Sequence, residues 1–80
     1  MSYYVYILKC GDGTLYTGWT NNLEDRLTAH REGRGAKYTR GRRPLDLVYT
    51  EEHPSKSEAA KREYQIKSMT RRQKERLIDS

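Results

Sequence analysis

Eighty residues, 34% hydrophobic and 34% charged, suffice for one small domain with a thin core, expected over residues 1–80. A formal charge of +5 favours a polyanionic partner, and an apolar N-terminal run too short for a signal peptide or a membrane span argues against a membrane protein. The single cysteine, Cys10, excludes an internal disulfide and a cysteine zinc cluster, which suits a reducing cytoplasm.

In chain order, residues 3–10 are aromatic and β-branched on both parities, the pattern of a strand covered on both faces and hence central. Gly11-Asp12-Gly13 is a turn signal, and residues 14–20 form a second strand. A three-residue loop with Gly13 in the left-handed conformation sets Leu8 opposite Tyr16 and Tyr6 opposite Gly18. Tyr6, Tyr16 and Gly18 then share one face, with Gly18 a place where a ligand could approach the backbone.

Asn22 is a helix cap, with Glu24 and Asp25 complementing the dipole and Gly33 as the stop. Leu23 and Leu27 mark its buried side, and Arg26 and His30 lie beside that stripe. An inward Arg requires an anion or carboxylate, whereas a lone inward His is more often a satisfied margin residue. Residues 33–44 form a loop in which Tyr38 sits among Arg34, Lys37, Arg40, Arg42 and Arg43, a composition suited to phosphate contacts and base stacking. Residues 45–50 read as a third strand, ended by Glu51, Glu52 and Pro54.

Ser55 with Glu58 is a capping box that opens a helix through Met69, and Ala59, Ile66 and Met69 are its inward stripe. Glu63 lies on that same stripe, so its carboxylate either pairs with a basic residue and bridges two elements or holds a metal. Thr70 with Gln73 is a second capping box, opening a terminal helix with Arg71, Arg72, Lys74 and Arg76 outward. The fold class is α+β, a three-stranded antiparallel sheet flanked by three helices.

Tyr4-Val5-Tyr6 and Tyr16-Thr17-Gly18, ten residues apart from Tyr6 to Tyr16, resemble the signature of the GIY-YIG endonuclease superfamily. Residues 23–30 resemble its catalytic helix, and residues 63–67 its metal-binding segment. Gly35-Ala36-Lys37-Tyr38-Thr39-Arg40 and Arg42-Arg43-Pro44 are similar to its small stand-alone bacterial branch. The resemblance implies hydrolysis of a DNA phosphodiester with one divalent metal, Mg²⁺ or Mn²⁺. It assigns Glu63 to the metal, Arg26 to the scissile phosphate and Tyr16 to the attacking water, with Tyr6 and His30 supporting the phosphate and proton transfers.

One carboxylate with water and phosphate oxygens is a common Mg²⁺ arrangement, and the Arg fork suits equatorial phosphate oxygens. All five residues are expected on one concave patch. DNA, duplex or branched, is the expected partner, with RNA as a second candidate and a role in repair or recombination. Gly18, Arg34, Lys37, Tyr38, Arg40, Arg42, Arg43, Lys67, Arg71 and Arg72 are the expected contacts to nucleic acid, the loop and the terminal helix flanking the patch. The chain departs from the pattern at Tyr4, where the signature has Gly, and at Thr17, where it often has Ile. Trp19 stands where excision-repair relatives have Lys, and no Asn follows Asn22. A nucleic-acid-binding accessory module without useful catalysis is therefore the alternative.

Overall fold

The structure, a computed structural model, describes residues 2–80. Its elements run β1 (Tyr3–Lys9), β2 (Leu15–Thr20), α1 (Leu23–Arg31), β3 (Asp46–His53), α2 (Lys56–Lys67) and α3 (Arg71–Asp79). The strands form one antiparallel sheet in the order β2-β1-β3, so the α+β architecture is the expected one. Among the described residues, no helix is long and apolar enough to cross a membrane.

β1 is central because its side chains are apolar on both parities: Val5, Tyr6, Ile7 and Leu8 are all fully buried. Val5 and Ile7 point to the face covered by Ala59 and Ile66 of α2, with Leu77 and Ile78 of α3 behind them. Tyr6 and Leu8 point to the other face, against Leu45 and the α1 residues Leu23 and Leu27. The two helical layers can therefore approach one another only around a sheet edge, and β2 supplies one.

The hairpin has the expected register, Tyr6 opposite Gly18 and Leu8 opposite Tyr16. Gly13 takes φ +87°, and Cys10 N–H donates to the Thr14 carbonyl at 2.8 Å to close the turn. This turn also anchors distant elements. Gly11 N–H donates to the Arg42 carbonyl at 2.6 Å, and Arg71 Nη1 donates to the Gly13 carbonyl at 2.6 Å. Arg42 forms an ion pair with Asp12.

Helix starts follow their caps. The Asn22 side chain accepts from Asp25 N–H at 3.1 Å, and Ser55 Oγ from Glu58 N–H at 3.2 Å. Thr70 and Gln73 complete a reciprocal box, with bonds of 2.9 and 3.2 Å.

The third strand differs from expectation. Leu45 precedes it, buried beneath α1, and the strand continues through Glu51 and Glu52, which pair with Val5 and Tyr4. The carboxylates do not end the strand because tertiary partners satisfy them. Glu51 accepts from Tyr49, from His53 Nε2 at 2.7 Å and from Arg62 Nε of α2 at 2.8 Å, and Glu52 accepts from Ser2. A bulge between Ile7 and Leu8 shifts the pairing from Tyr49 to Leu47.

One buried polar atom lacks a partner among the described residues: Thr17 Oγ1, on the α2 side of β2. A hydroxyl removed from water without a hydrogen bond is destabilising. Thr17→Val should stabilise the fold by about 1 kcal/mol in urea unfolding; a loss of stability instead would mean that the hydroxyl is bonded.

Candidate active site

The site is built around the Tyr6 side chain, which runs from the central strand to a point beneath Gly18 on the edge strand. A methyl group on Gly18 would lie 2.6 Å from the Tyr6 hydroxyl, so the missing side chain makes room for the phenol. Gly18 is itself buried, which corrects the expectation that a nucleic acid approaches its backbone: Tyr6 fills the space.

The hydroxyl meets both inward polar residues of α1. Tyr6 Oη lies 2.8 Å from His30 Nε2, and Arg26 Nε donates to Tyr6 Oη at 3.4 Å. The four-residue spacing on α1 puts Arg26 and His30 on one side of the helix, and the Leu23 and Leu27 stripe turns that side toward the sheet. Tyr16 packs edge-on against His30 with ring centroids 5.3 Å apart, and Tyr38 of the loop stacks on Tyr16 at 5.8 Å. On its other nitrogen, His30 Nδ1 lies 2.9 Å from Thr39 Oγ1.

Burial sets the electrostatics. It lowers the pKa of His30 to about 4, with the Arg26 charge acting in the same direction, so the imidazole is neutral at pH 7. Burial also raises Tyr6 above the usual phenol value; the Arg26 hydrogen bond and charge oppose this, while Tyr16 and the Glu63 carboxylate add to it. Tyr6 is therefore held as a neutral phenol.

Of the five residues expected on one concave patch, Tyr6, Tyr16, Arg26 and His30 come together, and Glu63 does not join them. Glu63 comes from α2, on the opposite sheet layer, and forms no hydrogen bond to this cluster. Its charge nevertheless acts weakly on Tyr6, and among the described residues its one ion pair is with Lys67 Nζ at 3.7 Å, one turn along the same helix. The edge of β2 brings the two layers together: a cleft of about 430 Å³ is lined by Arg26 of α1, Lys56 of α2 and Tyr3, Trp19, Thr20 and Asn21. Lys56 Nζ sits over the Trp19 ring at 5.6 Å. Lys56 was not singled out by its sequence pattern, because its proximity to Arg26 depends on how α2 crosses the sheet.

The residues expected to contact nucleic acid divide by their partners. Arg42 is ion-paired to Asp12 and lies 4.3 Å from the Tyr38 ring centroid, so it braces the loop rather than offering a free charge. The Thr14 hydrogen bonds, with Arg42 contributing, hold Asp12 at about 2, well below the usual carboxylate range. Arg34 pairs with Glu32, Lys67 with Glu63 and Arg71 with Glu75. Among the described residues Arg40 and Arg43 donate only to backbone carbonyls, of Gly33 and Arg31, and have no ion-pair partner. Lys37 and Arg72 have no ion-pair partner among the described residues. Tyr38 is 41% exposed, but Tyr16 and Arg42 already contact the ring that a base would use. The loop thus flanks the patch through Tyr38, while Arg71 of α3 is bound at the hairpin turn.

The profile of the GIY-YIG catalytic domain matches residues 2–76. The chain belongs to the GIY-YIG family. A UPF0213 protein of Clostridium perfringens is 65% identical over 77 residues, which span 96% of this chain and 83% of that protein. One from Natronomonas pharaonis is 58% identical over 76 residues, 95% of this chain and 89% of its own. The solution NMR structure of the UPF0213 protein BH0048 from Bacillus halodurans superposes with a TM-score of 0.64 at 52% identity, covering 99% of this chain and 84% of that one. That of EF2693 from E. faecalis gives 0.69 at 47% identity, with the same coverage. Within this GIY-YIG domain the signature tyrosines are Tyr6 and Tyr16, one buried and one half-buried.

The neutral, buried His30 makes the fold sensitive to acid. Its folded pKa lies below the unfolded value, so the unfolded chain takes up the proton first as pH falls. The stability this supplies is full above about pH 6.5 and is lost between there and about pH 4, on the order of 2–3 kcal/mol. Urea unfolding from pH 7 to pH 4.5 should show this loss in the wild type and less of it in His30→Gln; parallel curves for the two would assign the loss elsewhere.

Proposed function

We propose that this GIY-YIG domain is a metal-dependent DNA endonuclease or nickase that hydrolyses phosphodiester bonds. The observation that carries the reading is the convergence of Tyr6, Tyr16, Arg26 and His30 around Gly18 at the open edge of the sheet.

The donor chemistry suits a hard divalent cation. Glu63 is a largely buried carboxylate with one weak ion pair, and the described residues contain no group of three His, Cys, Asp or Glu side chains placed for a metal. This matches Mg²⁺ or Mn²⁺, which accept one carboxylate and fill the remaining positions with water and phosphate oxygens, and does not match a closed zinc site. When bound at Glu63, the cation supplies Lewis-acid stabilisation of the phosphate and an acidified water.

The chain's own residues carry the rest. Arg26 sits at the cleft with a donor fork suited to non-bridging phosphate oxygens, and Lys56 adds a second charge there. Tyr16, partly exposed above His30, is the hydroxyl available to orient the attacking water. Tyr6 and His30 are too deeply buried to touch substrate and act behind Arg26: the Tyr6 oxygen accepts from the guanidinium, and His30 holds the phenol in place through their shared hydrogen bond. Lys37, Arg40, Arg43 and Arg72 supply phosphate contacts to duplex or branched DNA, which makes binding indifferent to sequence. A role in repair or recombination suits an enzyme that recognises shape rather than sequence. The buried free thiol of Cys10 is compatible with a reducing cytoplasm.

One feature favours the second reading, a nucleic-acid-binding module without turnover: Tyr38 stacks on one face of the Tyr16 ring and restricts approach from that side. Supercoiled, branched and single-stranded DNA, with RNA as a further arm, separate the two readings in Mg²⁺ or Mn²⁺. Glu63→Ala should lower the nicking rate by roughly 10²–10⁴-fold while binding stays within about threefold. Arg26→Ala should weaken both, because its charge meets the phosphate in the ground state and in the transition state. Tyr16→Phe should slow cleavage with affinity retained. Equal cleavage by wild type and Glu63→Ala would exclude the metal assignment, and a wild type that binds but cuts nothing would favour the binding module.

Affinity should also fall linearly in a double-logarithmic plot against salt, with a slope that becomes shallower by about one when Lys37 or Arg72 is replaced by Ala. Salt-insensitive binding would exclude phosphate contacts as its basis.

A further inference from the structure

Thr39 lies in the basic loop between Lys37 and Arg40, yet its side chain is buried, 1% exposed, against the imidazole of His30. The loop backbone lies on the same ring: a methyl group on Gly35 would come within 2.3 Å of His30 Nδ1. The segment from Gly35 to Thr39 therefore wraps His30, and only a glycine admits the approach.

One direction satisfies the side-chain hydrogen bonds around the ring. Thr39 Oγ1 lies 3.0 Å from the Ala36 carbonyl, which can only accept, so the single hydroxyl proton of Thr39 goes there. The Thr39 oxygen then accepts, and His30 Nδ1, at 2.9 Å, must donate to it. In a neutral imidazole Nε2 is then the bare nitrogen, which accepts the Tyr6 hydroxyl proton at 2.8 Å. The Tyr6 oxygen is left with lone pairs for Arg26 Nε–H at 3.4 Å. Ala36 N–H also points at Nδ1, but at 3.5 Å it is the longest contact on the ring, and the Thr39 oxygen at 2.9 Å is the stronger partner of that nitrogen. The hydroxyl protons of Thr39 and Tyr6 and the ring proton of His30 then each have an acceptor, whereas the reversed tautomer, with Nε2–H donating to the Tyr6 oxygen, leaves the Tyr6 proton without one among the described residues.

We propose that Thr39 is a positioning residue that fixes His30 as the Nδ1–H tautomer and thereby makes the basic loop part of the machinery that orients Tyr6 and Arg26. No proton leaves the series in the resting state; Thr39 determines which ring nitrogen is free to receive one from Tyr6. The kinetic part of this assignment rests on the endonuclease reading, whereas the tautomer part does not.

The test uses the full chain labelled with ¹⁵N. Imidazole nitrogen shifts and long-range ¹⁵N–¹H correlations report the tautomer, and since the chain has two histidines, His53→Gln identifies the His30 signals. The wild type and Thr39→Ser should show Nδ1–H. Thr39→Val, which keeps the shape but cannot accept, should move His30 toward Nε2–H. The same variant should lower kcat for plasmid nicking about 10- to 100-fold with KM unchanged, and Thr39→Ser should restore it. A wild-type ring in the Nε2–H form overturns the proposal, as does a Thr39→Val protein that keeps the Nδ1–H form. A changed tautomer with unchanged kcat overturns the positioning role. Should Thr39→Val not fold, the wild-type and Thr39→Ser spectra still decide the tautomer. Should the wild type cleave no substrate, the endonuclease reading fails, and the ring spectra still decide whether Thr39 sets the state of His30.

Discussion

A buried phenolic hydroxyl cannot be left without partners, and the Tyr6 hydroxyl is the point from which most of this domain's arrangement follows. Its ring extends from the central strand toward the edge strand, so the residue opposite it has to be glycine. Its oxygen needs a donor and an acceptor, so α1 has to present Arg26 and His30 together. Once His30 is buried its second nitrogen also needs a partner, and the loop after α1 folds back to bring Thr39 to it. A strand, an edge glycine, a helix and a loop are thus tied by hydrogen bonds of which no single one is strong, but each of which would be costly to leave unmade.

The charges separate in a way that narrows what Glu63 and Arg26 can be. A bland interpretation has an inward carboxylate and an inward guanidinium meeting as a buried structural pair. They do not meet: Arg26 bonds a phenol, and among the described residues the partner of Glu63 is a lysine on its own helix. The bridge from α2 to the sheet is made instead by Arg62 and Glu51, on the β3 side. Glu63 joins no second element among the described residues, and Arg26 ties α1 to β1 through a neutral phenol, so both retain charge that an ion and a phosphate could use. Arg42, by contrast, combines an ion pair, a backbone bond and an aromatic contact, which makes it a structural residue in a run of basic ones.

What could be read from the sequence was what depends on near neighbours. The hairpin register follows from one turn and its glycine, and from it the shared face of Tyr6, Tyr16 and Gly18. The inward pair on α1 follows from the helical spacing beside two leucines, and the helix starts follow from their caps. What could not be read depends on distant partners. Glu51 and Glu52 look like strand breakers until Arg62, His53 and Ser2 are present to bind them. Thr39 looks like a solvated loop residue until the loop turns inward, and Lys56 looks like an ordinary first-turn lysine until α2 crosses the edge. Gly18 is special in sequence for its lack of a side chain, but the group that uses the space is the Tyr6 phenol of the protein itself.

The division between buried and accessible members has a consequence for how substrate and site act on each other. The Arg26 charge disfavours the imidazolium form of His30 and favours ionisation of Tyr6, in both cases against a background set by burial. An anion brought to Arg26 would offset that field. His30 would then become a better proton acceptor, and Tyr6 would hold its proton more firmly, at the moment a phosphate arrived. The Glu63 carboxylate already acts on Tyr6 in that direction, and a cation bound to it would remove the effect. Phosphate and metal would therefore move the Tyr6 proton balance in opposite senses. The short bond between Tyr6 and His30 is where the two influences meet, out of reach of water and set by groups that are not.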